Sequence, residues 1–166
     1  MKWVTRRNLH VDRTACSWLI RRFIDPEASF EFVPAGTDPA AVEGNTFDMR
    51  GGTFSHRDTQ CTFQALLEHY GLAKDQALAE MGRIIHDADV PPSRTVRREA
   101  AGIDALMRGV QLSVSADYTK IEVAGPIYDA LHAYCQAKVA AIASQPASPR
   151  PKLSYRRRLI VHLDGE

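Results

Sequence analysis

The chain has few cysteines. Cys16, Cys61 and Cys135 are odd in number and lack CxxC spacing, which argues against a disulfide framework and against a thiolate zinc knuckle. Reduced thiols and a cytoplasmic setting are therefore expected. It also has no dominant charge: 21 basic and 20 acidic residues leave a net +1, so nothing attracts the molecule as a whole to nucleic acid or membrane. Any anion binding has to be local. No apolar run approaches the ~18 residues of a spanning helix, and the basic N-terminus is not followed by the apolar segment of an export signal. Neither GxxxxGK(S/T) nor GxGxxG occurs, which removes the usual loop devices for nucleotide phosphates.

What is present describes an ordinary core: 166 residues, 45% hydrophobic and 25% charged, enough for one domain without staples. Residues 2–5 read as a strand. Asp12 is placed as the N-cap of a helix whose apolar stripe is Cys16, Leu19, Ile20 and Phe23, ended by Asp25-Pro26. Residues 29–34 alternate as a half-buried strand, and 35–52 read as loop, with short extended pieces at 46–49 and 53–56 around Gly51-Gly52. Helical spacing then dominates. It places one helix after Thr59, one over 73–88 with Leu78, Met81 and Ile85 inward, one over 97–111, and a long last one through Ile121, Tyr128, Leu131, Cys135 and Ile142, kinked at Gly125-Pro126. The fold class is α+β, a mainly helical domain over 1–144 with a small N-terminal sheet packed on it. Residues 145–166 form a proline-rich linker and a basic tail whose Tyr155, Arg157, Leu159, Val161 and Leu163 share one parity. That tail predicts an added strand, in this chain or in a second copy, and hence a homo-oligomer.

Imidazoles and carboxylates are what a site without thiol pairs uses to hold a divalent transition metal. The candidates are His56, His86, Asp87 and Asp89, with Asp12, Asp48, Asp58 and Glu68 as further oxygen donors if the fold brings them near. The competing reading makes each histidine a surface or capping group. Arg13, Arg21 and Arg57 are candidates for an anion pocket, because guanidinium forks hold tetrahedral oxyanions in bidentate fashion. Cys61, near Arg57 and a helix start, is the candidate reactive thiol, whereas Cys16 and Cys135 read as core. Arg156-Arg157-Arg158 is too short a basic run to argue for nucleic acid.

Four segments taken together carry a resemblance: Asp12-Arg13-Thr14-Ala15-Cys16-Ser17-Trp18 through Ala28; Phe54-Ser55-His56-Arg57 with Cys61-Thr62-Phe63; Arg83 to Asp89; and Ile127 to Cys135. In order and spacing, from about Trp3 to Cys135, they resemble the C-terminal domain of the chromate-resistance regulator family (ChrB-type). The resemblance implies a metal- or oxyanion-binding domain acting in chromate sensing or detoxification, with a small inorganic oxyanion such as chromate as partner. In that family DNA is bound by an N-terminal portion this chain does not contain, so nucleic acid is not an expected partner here. Two other classes stand beside it. One is a metal-dependent hydrolase or redox enzyme, prompted by the order His56 … His86-Asp87; the other is a partner-binding module using the C-terminal strand.

Overall fold

The computed structural model describes residues 1–57, 59–90 and 97–144. The linker and tail expected over 145–166, and Asp58, lie outside the described residues. The centre of the sheet is β1 (Lys2–Arg6), flanked in parallel by β2 (Ser29–Val33) and β3 (Asn45–Thr46). Trp3 pairs with Phe30 on one side and Asn45 on the other. Trp3, Val4 and Thr5 are all buried, because helices and loops cover both faces of a central parallel strand.

Parallel neighbours need a crossover, and α1 (Val11–Leu19) supplies it. The helix does not run uniformly to Asp25. It widens into a π-turn over Ile20–Ile24, closed by the Asp25 amide donating to the Ile20 carbonyl at 2.7 Å. The wider turn rotates the stripe, so Phe23 is partly exposed and stacks edge-on against Trp18 and His132 rather than entering the core. Asp12 is not the N-cap of its own helix either. His10 holds that position, and the Asp12 carboxylate is used elsewhere.

The helical layer consists of α2 (Thr62–His69), α3 (Gln76–Asp89), α4 (Arg98–Ser113) and α5 (Asp117–Ala143). Gly71, at φ +69°, ends α2 in a left-handed conformation that glycine adopts without strain. Asp75 caps α3 by accepting from the amides of Ala77 and Leu78 at 2.8 and 3.1 Å. Helix α3 packs against α1, α2, α4 and α5, burying Leu78, Met81, Ile84 and Ile85. Tyr128 of α5 ties the layer to α1: its hydroxyl lies 2.8 Å from that of Thr14 and 3.0 Å from the Val11 carbonyl. Pro126 does not end α5, which is assigned without interruption from Asp117 to Ala143. The proline is exposed, and its lack of an N–H removes the helical donor of the Glu122 carbonyl. Among the described residues no helix is long and apolar enough to cross a membrane.

Candidate metal centre

The carboxyl ends of β1 and β3 open into a cleft of about 420 Å³, the end of a parallel sheet where α/β folds place ligands. Four segments converge there. The first turn of α1 brings Asp12. Two residues past β3 comes Asp48, held at φ +47° by its amide bond to the Phe54 carbonyl, a left-handed conformation that an aspartate tolerates. A turn closed by the Gly52 amide on the Met49 carbonyl carries the chain round to His56. The end of α3 brings Asp89.

The two glycines of that turn serve different ends. Gly51 sits at φ +79° with open space around it, so its conformation is what excludes a side chain. Gly52 is excluded by space: a Cβ there would lie 2.7 Å from the Thr46 hydroxyl.

His56 is the hub. Its Nε2 lies 3.0 Å from Asp12 Oδ2, 3.2 Å from Asp48 Oδ1 and 3.5 Å from Asp89 Oδ2. Asp12, His56 and Asp89 each offer a ligand atom, all within 4.8 Å of one another. Asp12 is only 1% exposed and also accepts the amides of Thr62 and Phe63 at 2.8 and 3.0 Å. It therefore caps α2, a helix fifty residues away, while pointing its remaining lone pairs into the cleft. Asp48 is braced by Arg13, whose Nε is 2.8 Å from Oδ2, and by Arg6, which donates to its carbonyl at 3.0 Å.

Burial pushes the Asp12 carboxyl toward neutrality, but the hydrogen bond from His56 and the two amides outweigh it and hold it below the usual carboxylate range. The same hydrogen bonds from the other side, Asp12 first and Asp48 next, raise His56 to about 10. Asp89 is raised to about 6, first by burial and then by the negative charges of Asp12 and Asp48. Like charges close together thus raise Asp89, while Arg6 and Arg13 are turned onto Asp48.

The residues expected from sequence divide cleanly. His56 and Asp89 come together, with Asp12 and Asp48. His86 does not join them: its Nδ1 lies 3.5 Å from Asp87, and Asp87 accepts from the Arg97 side chain and amide, both at 2.9 Å. Glu68 accepts from Gln60 instead. The three arginines are scattered. Arg13 lines the cleft, Arg21 is engaged by Glu122, the Tyr118 hydroxyl and the Phe30 ring, and the backbone of Arg57 pairs with Gln60 on an exposed loop. Cys61 is buried, and burial together with Asp12 and Asp89 pushes its thiol far up, the reverse of the electropositive setting a reactive thiol needs. Cys16 and Cys135 are buried as expected. Arg6, His10 and Arg50 also line the cleft, and sequence reasoning did not single them out. For Arg50 the signal was the adjacent Gly51-Gly52, which marks a tight turn and hence a side chain displayed on its rim.

A family model described as "ChrB, C-terminal domain" matches residues 3–135. Protein ChrB of Cupriavidus metallidurans is 39% identical over 136 residues, covering 80% of this chain and 40% of the relative. The chain thus spans less than half the length of that curated relative. No solved structure matches significantly. The matched span contains the whole Asp12–Asp48–His56–Asp89 cleft, and on this evidence the chain belongs to the ChrB C-terminal-domain family.

Proposed function

We propose that this chain is a divalent-metal-binding domain of the chromate-resistance type, with Asp12, His56 and Asp89 as ligands and Asp48 closing the site. The observation that carries the reading is the convergence of three carboxylates on one imidazole nitrogen, two of them almost wholly buried. A divalent ion among these carboxylates would offset their mutual repulsion, which Arg6 and Arg13 relieve at Asp48. A donor set of one nitrogen and several oxygens without thiolate suits a borderline or hard divalent ion such as zinc, manganese or iron.

The chromate-resistance role rests on family membership, and with it the reading of a small oxyanion such as chromate as partner. Arg21 and Arg57 lend no support to an oxyanion pocket, since neither lines the cleft. The hydrolase alternative also loses its prompt, because His86-Asp87 stands outside the cluster.

The test is metal content by mass spectrometry after equilibrium dialysis against zinc and against manganese. The parent is expected to retain about one ion per chain, and Asp89→Asn to lose most of it because a charged ligand has gone. A parent that retains no ion from either metal sinks the proposal.

A further inference from the structure

Asp12 meets donors on both of its oxygens, and the two oxygens are not equivalent. A carboxylate has about four acceptor directions, two on each oxygen. Oδ2 takes the Thr62 amide at 2.8 Å, and His56 Nε2 lies 3.0 Å from the same oxygen. Oδ1 takes the Phe63 amide at 3.0 Å and also the Cys16 thiol, whose Sγ donates from 3.5 Å. Cys16 stands four residues after Asp12 on α1, the spacing that sets one side chain over another along a helix. Its place on the apolar stripe accounts for its complete burial but not for the direction of its S–H. Burial and the charge of Asp12 push the thiol well up, so it keeps its proton and donates.

We infer that Cys16 is a positioning residue for the metal centre: with the Phe63 amide it occupies Oδ1, so that Asp12 meets an ion through Oδ2 alone. The inference rests on the metal reading above and adds how its most buried ligand binds. Three of the acceptor directions are filled from within the fold, and the one that His56 faces is left for the ion. A carboxylate that offers one oxygen keeps the coordination number low, which suits zinc. Calcium takes about six to eight oxygens, often two from a single carboxylate. The choice of sulfur fits the place. A thiol packs as a small apolar group and still carries a weak donor, so it can fill a lone pair from within the core stripe.

The experiment compares the parent with Cys16→Ala and Cys16→Ser, all held below their metal-free thermal midpoints. Zinc affinity is read by competition with a chromophoric chelator, and the coordination number by X-ray absorption of the zinc-loaded protein; manganese takes the place of zinc if dialysis shows that the parent holds only that ion. Cys16→Ala should bind the ion about tenfold more weakly, the lower end of what losing a ligand's orienting partner costs. Its coordination number should rise as Asp12 offers both oxygens. Cys16→Ser keeps a donor and should hold the parent's affinity and coordination number. A residue that merely packs gives the opposite order, since a hydroxyl on an apolar stripe disturbs the core more than alanine does. Affinity in Cys16→Ala equal to the parent's, a serine variant no better than the alanine one, or an unchanged coordination number in Cys16→Ala overturns the inference. If the parent takes up neither ion on dialysis, the metal reading has failed and this one with it. If the parent holds its ion and any of those three results is found, only this one has.

Discussion

Helix α3 contributes to two charged clusters, and the two are built on opposite plans. Around Glu80 and Asp87 every carboxylate has its own cation. Arg83 and Lys138 reach Glu80 at 2.6 and 2.9 Å, Arg97 reaches Asp87 at 2.9 Å, and Lys138 reaches Glu99 at 3.0 Å. All three acids are held below their usual range: Glu80 and Asp87 against the opposing pull of burial, Glu99 to about 2 chiefly by the hydrogen bond from Tyr134. In the second cluster Asp89 is pushed up to about 6 and His56 up to about 10. The first cluster is complete and cements α3 to α4 and α5. The second gathers three carboxylates on one imidazole nitrogen. A motif such as His86-Asp87-Ala88-Asp89 spans both, so adjacent residues in one short run belong to different chemistry.

The largest effect separating the two clusters is expected from Asp12→Ala. It removes the metal ligand and leaves the buried amides of Thr62 and Phe63 without an acceptor, a loss of about 2–4 kcal/mol in denaturant unfolding together with abolished metal uptake. His86→Ala, by contrast, should leave metal stoichiometry untouched. If His86→Ala lost the ion while His56→Ala kept it, the division drawn between the clusters would be wrong.

A smaller effect concerns pH. Because Asp12 and Asp48 keep a proton on His56 up to about 10, an ion has to displace that proton. Apparent metal affinity should rise about tenfold per unit between pH 7 and 9. Below about 6, where Asp89 also takes a proton, the slope should steepen. In the metal-free protein the sign reverses: the raised His56 stabilises the fold fully below the ordinary histidine value near 6.5, and that contribution is lost as pH climbs through about 10. Metal titrations at several pH values and thermal midpoints of the metal-free form check the two halves. An affinity independent of pH from 7 to 9 would remove His56 from the ligand set.

The smallest effect belongs to the completed cluster. Glu99→Gln should cost less than about 1 kcal/mol at neutral pH, since its partners are solvent-screened. In the parent, the Glu99 contribution is present above the ordinary glutamate range and fades as pH falls toward about 2. Thermal midpoints of parent and variant should therefore converge in acid, and divergence there would contradict the pairing.

Much of the helical layer is legible in the sequence because its signal is local. The stripe of Leu78, Met81 and Ile85 fixes the buried side of α3, and Ile121, Tyr128, Leu131 and Cys135 do the same for α5. Strand β3 is only two residues long, too short for an alternation to show. The π-turn at Ile20–Ile24 shifts the face of Phe23 by adding a residue that no periodicity announces. His56 and Asp89 are visible as candidates by residue type, but their meeting with Asp12 and Asp48 joins residues 8 to 77 positions apart. Asp12 is the clearest case. Its place beside a helix start suggests local capping, and only the packing of α1 on α2 redirects it.

That redirection restricts what position 12 can tolerate. Asparagine, serine or threonine can accept the α2 amides, but none brings the negative charge a divalent ion wants. Glutamate brings the charge on a side chain one methylene longer, which a site 1% exposed has no slack to fold back. Aspartate alone has both the reach and the charge, so on the proposed metal reading the bond that joins two helices and the bond that holds the ion fall on one carboxylate. On that reading, variation at this residue surfaces first as a folding defect, whereas changes at Asp89 or His56 alter the ion's preference and leave the scaffold standing.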